Sequence, residues 1–193
     1  MVIRKLPFNI LRLCRILPLL CLLTACRPSA QQPIRENATL SIEATDSATY
    51  SYTGPKGDGQ LRLQALTDST YELQHLIGGT IVSQWPLRYR VYRFDCGDVT
   101  GDSIPEIVVG TIKATHYHPD LDRRLFIFHL VKQRHIRPLW LGSRVSHPLL
   151  DFKVERDSIP ALIHTWERSR EGDTLQHLYR QKGFGLKFAG KAI

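Results

Sequence analysis

Asp98-Val-Thr-Gly-Asp-Ser-Ile-Pro-Glu-Ile-Val-Val109 returns 55 residues later as Lys153-Val-Glu-Arg-Asp-Ser-Ile-Pro-Ala-Leu-Ile-His164. Asp-Ser-Ile-Pro falls at the same offset in both copies, and Trp85 and Trp140 are separated by the same interval. In each copy a polar loop runs into a short apolar stretch bounded by turn residues, the pattern of a buried strand. A repeat of this period predicts stacked antiparallel β-sheet units rather than one irregular domain. The two copies differ in charge at the positions where the first is acidic.

Counted from Asp98, oxygen-bearing side chains stand at positions 1 (Asp98), 3 (Thr100), 5 (Asp102) and 9 (Glu106), and the carbonyl of Ile104 stands at position 7. Alternate residues of a tight loop can aim their oxygens at one centre, and a hard cation such as Ca²⁺ takes about six to eight oxygens. Gly101 permits a sharp turn between two of these positions, and Pro105 fixes the exit into the strand. The loop is not an EF-hand, which needs glycine at position 6 and glutamate at position 12 where this chain has Ser103 and Val109. It resembles the calcium loop of FG-GAP or VCBS-like repeats, the integrin α-type β-propeller pattern. Asp98, Gly101, Asp102 and Glu106 match that pattern, and Thr100 and Ser103 depart from it. The resemblance runs from Trp85 to about Arg168. It implies a calcium ion held by Asp98, Thr100, Asp102, Ile104 and Glu106. The competing expectation is a polar β-turn closed by its own hydrogen bonds.

The second copy lacks this chemistry. Lys153 replaces the first carboxylate, Arg156 the glycine and Ala161 the closing acid. A lysine ammonium opposes a divalent cation, so this loop is expected to keep the turn and the strand without a metal.

Arg4, Lys5, Arg12 and Arg15 precede an apolar run from Ile16 to Ala25 that ends in Leu23-Thr24-Ala25-Cys26. A basic start, a short apolar core and small residues before the cut make a secretory signal over residues 1–25. The run is too short to span a bilayer, which takes about 20 apolar residues. The last four residues resemble the bacterial lipobox, which implies acylation of Cys26 and attachment to a membrane. Removing residues 1–25 lowers the formal charge from +8 to +4, because that segment carries four bases and no acid. So small an excess does not favour nucleic acid as a partner. Cys14 and Cys21 depart with the signal and Cys26 is acylated, which leaves Cys96 without a disulfide partner. Cys96 beside the acidic loop reads as a buried filler.

Residues 26–49 are rich in Ser, Thr, Ala, Gln and Pro and read as a tether, with a strand pattern only at Leu40-Ser-Ile42. From Tyr50 onward the apolar period is two, and no helical period holds over three turns. Leu61, Leu63 and Ala65 are answered by Tyr71, Leu73, His75 and Ile77 across a turn at 67–69, and Gly78-Gly79 marks a second hairpin. The predicted fold is all-β over residues 50–193. It has repeat units at about 85–139 and 140–193 and a partial unit before them. A closed propeller takes about four blades or more, so the expectation is a partial propeller or an open β-stack. Arg88, Arg90 and Arg93 alternate as charges that would protect an exposed sheet edge.

Other constellations carry less. His116-x-His118-x-Asp120 resembles part of the metallo-β-lactamase zinc motif, with Leu121 where that motif ends in histidine. It defines a runner-up reading as a zinc hydrolase, against a plain loop between two blade strands. His129, His135, His147, His164 and His177 stand singly, Asp151 and Glu155 form a loose carboxylate pair, and Trp85 and Trp140 read as repeated core or rim aromatics. The leading expectation is a non-enzymatic lipoprotein of the bacterial cell envelope, on the periplasmic side of the outer membrane. It would bind a protein or a glycan and carry one calcium-stabilised loop. A structural subunit of an envelope complex is a third expectation.

Overall fold

The computed structural model describes residues 40–41, 47–55, 57–116, 118–142 and 145–192, and of residues 40–41 only the backbone. Every regular element among them is a strand. Residues 1–39, including Cys26 and the signal segment, lie outside the described residues.

The first sheet is an up-and-down meander of β2 (Ala48–Gly54), β3 (Gly57–Thr67), β4 (Thr70–Ile77) and β5 (Thr80–Leu87). The second contains β6 (Arg90–Gly97), β7 (Glu106–Thr115), β8 (His118–Val131) and β9 (His135–Leu141), with β1 (Leu40–Ser41) added to the free edge of β6. The third is β10 (Leu149–Glu155), β11 (Leu162–Arg168), β12 (Thr174–Lys182) and β13 (Gly185–Lys191). All pairings are antiparallel and no sheet closes into a barrel. The chain is an open stack of blade-like sheets, as the repeat predicts. Residues 48–87, read from the sequence as a partial unit, form a complete four-stranded sheet.

Two cores explain why these runs become strands. Leu61, Leu63, Tyr71 and Leu73 of the first sheet meet Phe94, Ile107, Val109, Phe126, Phe128 and Ile136 of the second. The opposite face of the second sheet, with Val108, Leu125 and Ile127, meets Phe152, Val154, Ile163 and Tyr179 of the third. The middle sheet is thus covered on both sides, which is why Glu106–Thr111 and Arg124–Phe128 are buried without alternation. Each large apolar side chain removed from water there contributes roughly 1.5–3 kcal/mol. The flanking strands alternate instead: β2 buries Ala48 and turns Thr49, Ser51 and Thr53 outward.

Of the three alternating arginines, Arg88 and Arg90 are exposed, whereas Arg93 reaches across to Asp151 of β10 in an ion pair at 2.5 Å. Strand β1 covers the edge of β6 only at Arg93 and Phe94. The turns after β2, β4, β6, β8 and β10 share one end of the stack. Tyr52, Asp58, Ile104 and Gln133 line one small cavity there, and the Ala161 N–H donates to the Asp98 carbonyl at 2.7 Å.

Candidate functional site

The acidic loop spans the gap between Gly97 and Glu106, which pair across β6 and β7. Asp98 closes it from within: its Oδ1 accepts the N–H groups of Gly101 (2.6 Å) and Asp102 (3.0 Å), and its Oδ2 that of Ser103 (2.8 Å). Asp102 Oδ1 accepts from the Ile104 N–H at 2.9 Å. Glu106 is 1% exposed, and its Oε2 accepts from Val99 and Thr100 N–H at 2.9 and 3.1 Å. Its Oε1 accepts the Thr100 hydroxyl at 3.2 Å. The side chain of Ile104 is buried in the core between the first two sheets.

Gly101 has φ +85° and Ser103 φ +67°. Both are left-handed conformations, easy for glycine and costly for serine. Ser103 therefore occupies a glycine-type position without being glycine.

Burial, and then repulsion from Asp102 and Asp98, pushes the Glu106 carboxyl up to about 8. The loop's donors are all oxygens and its field is negative, a chemistry that fits Ca²⁺. As arranged, however, the carboxylates are turned onto the loop's own N–H groups. Among the described residues no three His, Cys, Asp or Glu side chains gather as a metal-holding group.

The echo loop is tighter. Glu155 pairs with Leu162, so residues 156–161 make the connection where the first copy uses 98–105. The copies keep Asp-Ser-Ile-Pro in step while β10 runs three residues further than β6 and β11 begins one residue later than β7, so the second loop is two residues shorter. Arg156, in place of the glycine, bonds Asp95 through its guanidinium and donates Nε–H to the Cys96 carbonyl at 2.9 Å. Asp95 is 4% exposed and also accepts from the N–H groups of Cys96 (2.8 Å) and Val154 (2.7 Å). Two bridges therefore leave β6, Arg93 to Asp151 in β10 and Asp95 to Arg156 just beyond the end of β10. Cys96 is fully buried, and burial, followed by the charge of Asp95, holds its thiol well above the usual range.

His116 and His118 flank the tip of the β7–β8 hairpin and are exposed, as is Asp120. Thr115 pairs with His118, and its hydroxyl accepts the His118 N–H at 3.2 Å. Asp151 and Glu155 do not act together. The first is held by Arg93, and the second accepts from Lys153 (2.7 Å) and contacts His164 Nδ1 (2.9 Å). Trp85 packs on Phe128 with ring centroids 5.9 Å apart, and Trp140 lies against the core between the second and third sheets.

Two arrangements carry no signature in the sequence. The rings of His147 and His177 meet at 5.8 Å, tilted by 45°, beside buried Glu167, whose Oε2 accepts the His147 backbone N–H at 2.8 Å. They fix the connection between β9 and β10 onto the third sheet. Tyr52 lies across Gly59, where an added Cβ would sit 2.6 Å from its ring. Its hydroxyl meets His75 Nε2 at 2.9 Å, and His75 Nδ1–H donates to the Arg134 carbonyl at 2.8 Å. Burial lowers the pKa of His75, so the ring is neutral, with Nε2 accepting from the tyrosine. The alternation Thr49-x-Ser51-x-Thr53 was the available signal for this sheet.

No family model matches the chain, and neither a curated protein nor a solved structure matches it. The class that the fold defines is an all-β stack of blade-like antiparallel sheets.

Proposed function

We propose that this chain is a non-enzymatic binding module of the bacterial cell envelope, held to a membrane through acylated Cys26. The carrying observation is the asymmetry of the stack. Its middle sheet is clamped on both faces, while the first and third sheets each keep one face in solvent. Such a stack is a rigid frame whose outer faces and loop end are available to a protein or glycan partner.

The acidic loop is proposed as a calcium site. Asp98, Asp102 and Glu106, with Thr100 and the Ile104 carbonyl, would hold the ion. The ion would supply positive charge where three carboxylates repel one another, and so pin the loop. Metal content of the purified full chain tests this reading. Calcium that disappears in Asp98→Ala supports the module. Stoichiometric zinc that disappears in His116→Ala would replace it with the hydrolase alternative. Cys26→Ala should move the protein from the membrane to the soluble fraction, and a variant that stays membrane-bound would end the anchor claim. Mass by light scattering tests the structural-subunit alternative, which a concentration-independent monomer would count against as self-assembly.

A further inference from the structure

The last hairpin of the chain carries a basic face and an aromatic tip that the acidic loop does not explain. Strands β12 and β13 are joined by a two-residue turn, Gly183-Phe184, between the paired residues Lys182 and Gly185. Gly183 has φ +59°, and a glycine first in such a turn satisfies its backbone geometry unaided. Turn positions otherwise favour Asn, Asp and Ser. The second position here is a phenylalanine, 93% exposed, more than any other large apolar side chain among the described residues.

The charge is equally one-sided. Residues 174–193 hold Arg180, Lys182, Lys187 and Lys191 and no acid. Successive residues of a strand point to opposite faces, so Arg180 and Lys182 point away from Tyr179, which lies in the core. Arg180 pairs directly with Lys187, and three exposed cations therefore share the outward face beside the tip. Like charges set opposite one another across two strands repel. An anion laid over them turns that repulsion into attraction.

In the other hairpin of the same sheet, the β10–β11 loop raises Ile159 at the same end, 84% exposed. Exposed Asp157 accompanies it, so the positive charge belongs to the β12–β13 corner rather than to the whole end.

We infer that this corner docks on an anionic phospholipid bilayer. Phe184 enters the boundary between headgroups and acyl chains, and Arg180, Lys182 and Lys187 meet the lipid phosphates. A bilayer sets an apolar layer directly beneath negative charge, the pairing that an aromatic tip among cations fits. An acidic protein segment answers the cations alone. The inference deepens the membrane reading above and rests on it: Cys26 keeps the chain at a bilayer, and the hairpin determines which side of the stack turns to the lipid. The first sheet, on the far side of the middle one, stays open to a partner. One ring and three charges hold only loosely without a second attachment, so the release expected of Cys26→Ala is unchanged.

The test reads depth at the tip, because affinity from the N-terminal segment is common to every variant. The full chain is mixed with phosphatidylglycerol vesicles whose acyl chains are brominated, which quench a tryptophan that reaches the apolar layer. Phe184→Trp should add a blue-shifted emission that bromine quenches, over the background of Trp85, Trp140 and Trp166. Leu66→Trp, at the opposite end of the stack and 59% exposed in the native residue, should add emission that bromine leaves alone. In the Phe184→Trp protein, Arg180→Gln, Lys182→Gln and Lys187→Gln should each lower the ratio of docked to undocked tip about fivefold. Their thermal midpoints should hold, or rise where the Arg180–Lys187 repulsion is removed. Brominated phosphatidylcholine should quench far less. Emission at position 184 that bromine does not quench overturns the inference, as does quenching that is equal on the two lipids or indifferent to the three charges. The anchor is judged separately, by the fractionation of Cys26→Ala.

Discussion

Glu106 keeps only 1% of its surface in solvent, yet it sits beside two other carboxylates, and its carboxyl is raised to about 8. In the unfolded chain the same group titrates near 4.3. Below pH ~4 both states are protonated and its contribution to stability is complete. As pH rises towards 8 the unfolded chain ionises first, so the contribution is lost progressively through that window. The expected outcome is a thermal midpoint that falls between about pH 5 and pH 8, corresponding to a few kcal/mol at most. Glu106→Gln, which keeps an acceptor for Val99 and Thr100 but cannot ionise, should flatten the fall. Identical slopes in the two proteins would sink the argument. Ser103 offers a prediction of opposite sign. A serine at φ +67° pays a steric cost of about 1–2 kcal/mol that glycine avoids, set against the greater freedom glycine gives the unfolded chain. Ser103→Gly should therefore stabilise by up to about 1 kcal/mol, read by urea denaturation, and a loss of stability would show that the serine is relaxed.

At the scale of elements, β6 and β10 are joined by side chains as well as by core contacts. Asp95 takes two backbone N–H groups and the Arg156 guanidinium while itself nearly buried. Asp95→Ala removes one partner from a buried charged network and should cost roughly 3–5 kcal/mol. Asp151→Ala opens a partly exposed pair and should cost about 1 kcal/mol or less. Equal losses in chemical denaturation would refute the distinction. The same polar bridging explains what the sequence hid. Strands β3, β4, β9 and β12 announce themselves through alternation or turn signals, and β7 through its apolar run. Strands β6 and β10 carry Arg93, Asp95, Asp151, Lys153 and Glu155, which read locally as solvated charge. Their partners lie some 60 residues away, as with Arg156 and Asp95, so no local pattern records them. The echo misleads in a similar way: Asp-Ser-Ile-Pro stays in step while the pairing beneath it shifts, so the tightening of the second loop is invisible in the letters. In the acidic loop the residues are legible, but not the direction in which each carboxylate turns.

The whole molecule is layered, and its stability should be layered too. Amides of β7 and β8 lie in a sheet covered on both faces, whereas β5 and β13 are outer strands of the flanking sheets with one face in water. Hydrogen exchange should be slowest in β7 and β8, by at least about tenfold over β5 and β13, because local opening exposes the outer strands first. Equal protection across the sheets would mean that the stack opens as one unit. The added strand β1 has a mechanical consequence. It is held to β6 by only two residue pairs, Leu40 with Phe94 and Ser41 with Arg93, whereas β2 is laced to β3 along its full length. A pull from the N-terminal side therefore meets a short clasp before it meets the frame of the three sheets. When the clasp parts, Phe94 and Arg93 lose an edge partner while the three sheets keep every pairing of their own, so the clasp can open without unfolding the frame.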